Sequence, residues 1–209
     1  SALRQDEEQM GIDDSIAETG EILDSIENGA SRTAEIVRGL RNFSRLDEGD
    51  QKSADANEGL RSTIAVLSPN VRDQVKIELD LGALPAIECY PGKLNQVFMN
   101  VLTNAAQACR SRHPNGGGVI TVRTRTLDAA IEVIIADNGS GFTPEVKGRM
   151  FEPFFTTKGV GEGTGLGLSI AYGIIEKHEG SIDAESAPGE GATFRIVLPM
   201  QLQANAKRA

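Results

Sequence analysis

An α+β chain is predicted: a two-layer α/β sandwich, a mixed sheet with helices on one face, preceded by the long helix of a helical-hairpin dimerisation domain. Three observations predict it. A seam of apolar and small residues at three-four spacing fills the first quarter of the chain. Amphipathic helical stretches and short alternating segments then follow one another to the end. Between them lies Asp137 to Leu168, DNGSGFTPEVKGRMFEPFFTTKGVGEGTGLGL, where glycine is dense enough to demand close backbone approaches or turns that side chains forbid.

The seam comes first. Ile16, Thr19, Leu23, Ile26, Ala30, Thr33, Val37 and Leu40, with Phe43 behind them, place one stripe of a helix over Ile12 to Leu46 against other helices. Its weak Thr and Ala positions suit a bundle, and Gly20, Gly29 and Gly39 each lower helix propensity by about 1 kcal/mol. A homodimer through this segment is therefore expected. Glu48-Gly49-Asp50-Gln51 breaks the period and sets a boundary, giving a helical segment over 1–50, a second domain over 51–204 and a tail at 205–209.

Beyond Asn57, Leu60, Ile64 and Leu67 mark a short amphipathic helix ended by Ser68-Pro69. Val75 to Leu79 alternates like a half-buried strand, and Ala86 to Cys89 reads as another. A strong helix runs from Pro91, well placed at a first turn, to about Arg110. After the Pro114 to Gly118 turn, strands are expected at Ile120 to Thr124 and Ile131 to Ile135, then a helix from Leu168 to Lys177 and strands at Ser181 to Glu185 and Thr193 to Leu198.

Composition narrows the function. With 209 residues, 39% of them hydrophobic, the chain can bury one core and still carry an appendage. A net charge of -9 argues against a nucleic-acid surface, because phosphate backbones demand clustered Lys and Arg. Cys89 and Cys109 stand without CxxC or Cys/His spacing and read as reduced, buried thiols, which suits a cytoplasmic setting. No apolar run reaches the length of a membrane span, so no direct membrane contact of this chain is expected, and a membrane-anchored parent protein stays open.

GEGTGLG spaces its glycines as GxGxG rather than GxGxxG, and no GxxxxGK[ST] string occurs, so neither the dinucleotide fingerprint nor the P-loop is present. The helix LNQVFMNVLTNAAQA has Leu94, Val97, Phe98, Val101 and Leu102 on one face and Gln96, Asn100, Asn104 and Gln107 on another. Asn is a poor helix former, and a solvated face would more usually carry Lys and Glu. Such a face is either merely polar, or Asn104 offers a neutral amide oxygen to Mg²⁺, which completes its octahedron with phosphate and water.

In order, NQVFMNVLTNAAQA, DNGSGF, FEPFFTTK, GTGLGLSIAYGIIEKHEG and GATFRIVLP resemble the N, G1, F and G2 boxes and closing strands of two-component sensor histidine kinases, in the ATP-binding superfamily shared with gyrase and mismatch-repair ATPases. The resemblance covers Asn57 to Met200. It implies ATP and Mg²⁺ as ligands, a histidine as phosphoacceptor and a response regulator receiver domain as partner. Asp137 would accept a hydrogen bond from the adenine amine, where guanine presents a repelling carbonyl. Gly139, Gly141 and Phe142 would close against the base, and Thr193 would sit near the same pocket. Phe151 and Phe154 look like the F box, whose rings would anchor a flexible lid that includes Thr157; ordinary core packing would explain them equally. Gly163, Thr164, Gly165, Leu166, Gly167 and Leu168 would bring amides to the phosphates at a helix start. Lys158 and Arg149 are the nearby cations that would reach the γ-phosphate or the transfer partner, and a solvated role would explain either equally. Asn100 stands where hydrolytic members carry a water-activating Glu, and an amide cannot take that proton, so phosphoryl transfer is favoured over hydrolysis. Gln107 stands where many sensor kinases place a cation, and Tyr90-Pro91 where an acidic residue is common.

The phosphoacceptor is missing. His113 lies in a turn and His178 ends a helix, so both read as exposed structural or capping residues. IENGASRTAEIVRGLRNFSRLDEG resembles the second hairpin helix of such kinases, which leaves most of the first helix unaccounted for. Two other readings stay open: a serine-directed regulatory kinase of the same superfamily, which needs no internal histidine, and a non-catalytic dimeric scaffold with a relic nucleotide pocket.

Overall fold

The computed structural model describes Thr19 and residues 51–71, 73–159 and 163–202. The expected long helix over Ile12 to Leu46 and the tail at 205–209 fall outside them, apart from Thr19, which is helical.

The alternating segments form a five-stranded mixed sheet from β2 (Val75–Leu81), β4 (Gly118–Thr126), β5 (Ala130–Asp137), β7 (Ala192–Pro199) and β6 (Ser181–Ser186), in the order β2-β4-β5-β7-β6. Only β2 and β4 run parallel. They are joined through the helix α2 (Pro91–Arg112), as a parallel crossover requires. A short antiparallel pair, β1 (Lys52–Ala54) with β3 (Ile87–Cys89), lies outside the main sheet. β1 was not expected, because three residues beside a charged break carry no period.

Helix α2 packs on β4 and β5, flanked by α1 (Ala56–Leu67) and α4 (Gly167–Lys177). The inward strand residues Ile120, Val122, Val133, Ile135 and Ile196 meet Phe98, Val101 and Leu102 of α2, all fully buried. Burying each such side chain contributes about 1.5 to 3 kcal/mol, and this layer holds the sheet to its helices. Cys89 and Cys109 are buried and free, and burial pushes the Cys89 thiol up to about 11. α3 (Pro144–Arg149) is a short helix that the glycine-rich reading passed over. Its signal was present: Thr143 caps Val146 N–H and Pro144 takes the first turn.

The open face of the sheet carries an ion triad. Glu132 on β5 is fully covered by Arg125 of β4 and Arg195 of β7, both more than half exposed. Hydrogen bonding from Arg125 is the main cause that holds its carboxyl below the usual range.

His178 corrects an expectation. It does end α4, but it is 1% exposed rather than solvated. Its Nδ1 lies 2.7 Å from Ile174 O, which can only accept, and Tyr90 N–H donates to its Nε2 at 3.0 Å. The ring is therefore the neutral Nδ1–H tautomer. Tyr90 packs edge-on against it, and Lys177 lies over the Tyr90 ring. This accounts for Tyr90: its N–H joins the start of α2 to the end of α4.

Burial, chiefly, holds the His178 pKa below 6.5. The unfolded chain then binds more protons between that depressed value and 6.5, so this contribution to stability is complete above pH 6.5 and is lost as pH falls. Urea unfolding at pH 7.5 and 5.5 should show a steeper loss for the wild type than for His178→Asn. The variant should be weaker at pH 7.5 by about 1 to 3 kcal/mol, the cost of unpairing a buried group.

Candidate functional site

The site is built where β5 runs out beside α2. Asp137, the last residue of β5, is 9% exposed, and Gly139 N–H donates to its Oδ1 at 2.8 Å. Burial pushes its carboxyl up, against hydrogen bonds from the Gly139 and Ala192 amides. Gly139 lies so close to α2 that a Cβ there would stand 2.5 Å from the Ala108 carbonyl carbon and 2.8 Å from Asp137 Oδ1. Any other residue would push the loop off the helix. Ser140 N–H donates to Ala108 O at 3.2 Å and completes the joint.

Asn138 is a residue that the sequence reading missed. Its Oδ1 accepts from Val119 N–H at 2.8 Å, its Nδ2 donates to Gly117 O at 3.0 Å, and its carbonyl lies 3.0 Å from His113 Nε2. It thereby ties the end of β5 to the start of β4 and the end of α2. The signal was available, because Asn tolerates turns and bonds neighbouring backbone.

One turn before Ala108 on α2 stands Asn104. Lys158, from the loop after α3, donates to Asn104 Oδ1 at 3.4 Å and to Gln107 Oε1. Another turn back, Asn100 Nδ2 donates to Gly167 O at 2.8 Å, in the first turn of α4. The polar face of α2 therefore meets the two glycine-rich segments in order, with Asp137 at one end and Gly167 at the other. Three amide side chains and an ammonium line that face, with the Asp137 loop docked beyond them at Ala108.

The loop between α3 and α4 is closed at its base. Phe154 N–H donates to Gly165 O at 2.9 Å, and Gly165, at φ +67°, sits where a Cβ would come within 2.4 Å of the Phe154 carbonyl carbon. Phe154 itself holds φ +66° and is 57% exposed, a conformation unusual for an aromatic residue. It is not core. Phe151 packs instead against Tyr172 of α4. Gly163 lies against the stem of Lys158, Thr164 Oγ1 accepts from Leu166 N–H, and Leu166 is buried at the start of α4 with Leu168 packed beside it. Thr157 is exposed next to Lys158. Arg149 is engaged elsewhere, bonded to Glu152 and lying over the Phe155 ring.

Two of the sequence-predicted residues stand apart. Thr193 pairs with Ala136, whereas Ala192 pairs with Asp137. Strand alternation then puts Thr193 on the open face of the sheet, opposite the Asp137 side chain, and it is exposed there. The expectation that Thr193 sits near the pocket is corrected, and Ala192 holds that place. Phe142 packs edge-on to Phe194, with its N–H on Ser186 Oγ, and Gly141 turns the chain just before it. A separate cavity of about 230 Å³ opens against α1 and the start of α2, and none of the predicted site residues lines it.

No group of three or more His, Cys, Asp or Glu side chains suited to a metal ion occurs among the described residues. No described helix is long and apolar enough to cross a membrane.

Residues 89–202 match the family of histidine kinase-, DNA gyrase B-, and HSP90-like ATPases. The chain is 38% identical over 178 residues to the sensor histidine kinase ZraS of Klebsiella oxytoca, covering 83% of this chain and 37% of that protein. Among solved structures, it resembles the nucleotide-free catalytic domain of the histidine kinase ThkA, with TM-score 0.65, 27% identity and coverage of 74% and 98%. It also resembles full-length ShkA in complex with AMPPNP, with TM-score 0.69, 25% identity and coverage of 81% and 36%. A match over more than half the chain, on the stretch that carries Asp137, α2 and both glycine-rich segments, makes this chain a member of the histidine kinase-, DNA gyrase B-, and HSP90-like ATPase family, with the catalytic domain of a sensor histidine kinase.

Proposed function

We propose that this chain binds Mg·ATP along the polar face of α2 and hands the γ-phosphate to a histidine that is not one of its own 209 residues, and thence to a response regulator receiver domain. The observation that carries the reading is the order of groups along α2. From Ala108, which touches the Asp137 loop, to Asn100, which touches Gly167, is eight residues, about 12 Å of helix. That length accommodates a base at one end and a triphosphate at the other. Asp137, steadied by the Gly139 and Ala192 amides, still has acceptor capacity for the adenine amine. At the far end the start of α4 turns its amides toward the phosphates.

A divalent ion fits the donor set. Asn104 Oδ1 already accepts from an ammonium, a stand-in cation, and with no acidic cluster among the described residues the remaining ligands fall to phosphate and water. Mg²⁺ would neutralise phosphate charge there. Asn100 offers no group able to deprotonate water, which favours transfer to an acceptor over hydrolysis. Neither histidine of this chain suits that role, since His178 is buried with both nitrogens engaged and His113 bonds Asn138 O.

Calorimetry should find ATP bound more tightly than GTP, and Asp137→Asn should weaken ATP by about 1.5 to 3 kcal/mol, the worth of a hydrogen bond to a charged group. No detectable ATP binding would favour the non-catalytic scaffold. Chelation of magnesium should weaken ATP far more than AMP. Incubated alone with γ-labelled ATP, the 209-residue chain should stay unlabelled; acid-labile label should form on an added partner helix that carries a histidine. Acid-stable label on an added partner would point to the serine-directed kinase.

A further inference from the structure

Three side chains stand in one row across the end of the sheet. Asp137 of β5 pairs with Ala192 of β7, and Ala192 pairs with Ser186, the last residue of β6. Residues directly opposite one another in antiparallel strands share a face, so all three point to the side of the sheet that carries α2. With neighbouring strands about 4.8 Å apart, Ser186 lies about 10 Å from Asp137, across the small side chain of Ala192.

The Ser186 hydroxyl is used twice. It accepts from Phe142 N–H at 2.9 Å and donates to Gly191 O at 2.6 Å. Phe142 belongs to the glycine loop that follows Asp137, and Gly191 precedes Ala192 in a turn so close that a Cβ there would stand 1.9 Å from Asp137 O. One hydroxyl thus joins the two backbone segments whose amides, Gly139 and Ala192, donate to the Asp137 carboxylate. The segments also meet directly. Gly189 N–H donates to Ser140 O at 2.7 Å, and Gly141, at φ +65°, leaves no room for a Cβ, which would come within 2.2 Å of Ala187 O. Of these contacts, only the Ser186 bridge is made by a side chain.

We infer that Ser186 is a positioning residue for base selection: by fixing the loop at Phe142 to the turn at Gly191, its hydroxyl sets where the Asp137 carboxylate meets the amino group of the purine. This rests on the nucleotide reading above and adds a residue that acts through Asp137. Serine suits the task because a hydroxyl is donor and acceptor at once, on a side chain short enough to stay between two backbones. Alanine would leave Phe142 N–H and Gly191 O without this partner, and the slack would fall on Asp137. The phosphate end would be spared, since Asn100 holds the start of α4 separately through Gly167 O.

Binding to the 209-residue chain with magnesium is measured by calorimetry for ATP, for purine riboside triphosphate, which lacks the amino group, and for tripolyphosphate. The wild type is compared with Ser186→Ala, Ser186→Thr and Ser186→Cys, each with a thermal melt. The wild type should prefer ATP to purine riboside triphosphate. Ser186→Ala should weaken ATP about five- to tenfold and leave the other two ligands near their wild-type affinity, so that the preference shrinks. Ser186→Thr, which keeps the hydroxyl, should restore it. Ser186→Cys, of similar shape but a weak donor, should fall between them and carries the same readout where the alanine variant does not fold. An unchanged preference in a folded Ser186→Ala or Ser186→Cys would overturn the inference, as would an equal loss for ATP and purine riboside triphosphate with a lowered melt, the mark of a serine that serves stability alone. A wild type that binds no nucleotide, or binds ATP no better than purine riboside triphosphate, would instead sink the nucleotide reading itself.

Discussion

The site depends on one joint, the contact between the Asp137 loop and the flank of α2. Gly139 meets the Ala108 backbone at a distance that excludes any side chain, and Ser140 N–H is bonded to Ala108 O. Because α2 is rigid and buried on β4 and β5, fixing the loop at Ala108 fixes Asp137 relative to every residue further back along the helix. Asn138 supports the joint from the sheet side through bonds to Val119, Gly117 and His113. A buried carboxylate costs solvation energy, and this frame offsets part of that cost with the Gly139 and Ala192 amide donors.

The second constraint works from the opposite end of α2. Tyr90 N–H, an orphan donor at the helix start, finds its acceptor in His178 at the end of α4. Near the middle of α2, Asn100 grips the first turn of the same α4 through Gly167. The two helices are thus bonded at both ends of α4, which sets where its amides point. A ring with both nitrogens engaged serves here as a structural bolt, so the histidine nearest in sequence to the glycine cluster is unsuited to accepting a phosphoryl group.

Much of this was legible from residue patterns. Alternation located the main strands, and three-four spacing with Pro91 located α2, because both signals come from burial of one face. Register was harder. Thr193 and Ala192 are adjacent in GATF, and which of them shares a face with Asp137 turns on a shift of one residue, which sequence alone does not decide. His178 was misjudged because its neighbours Lys177 and Glu179 are charged, whereas the ring folds back under the helix end to meet a donor 88 residues away. Phe154 shows the converse. An aromatic residue inside FEPFF suggests core, yet a backbone turn fixed by Gly165 swings it into solvent.

Charge decides how such a site can work. A chain with net charge -9 repels a polyanion at long range, but that repulsion fades within about 8 Å at physiological ionic strength. What counts is therefore the local donor set. Arg125 and Arg195 are spent on the open face of the sheet, where they enclose Glu132 on the side away from α2. Backbone amides at the start of α4 supply directed donors with no net charge. The amide face of α2, costly in helix propensity and useless for packing, offers neutral oxygens there, and those of Asn104 and Gln107 accept from the Lys158 ammonium.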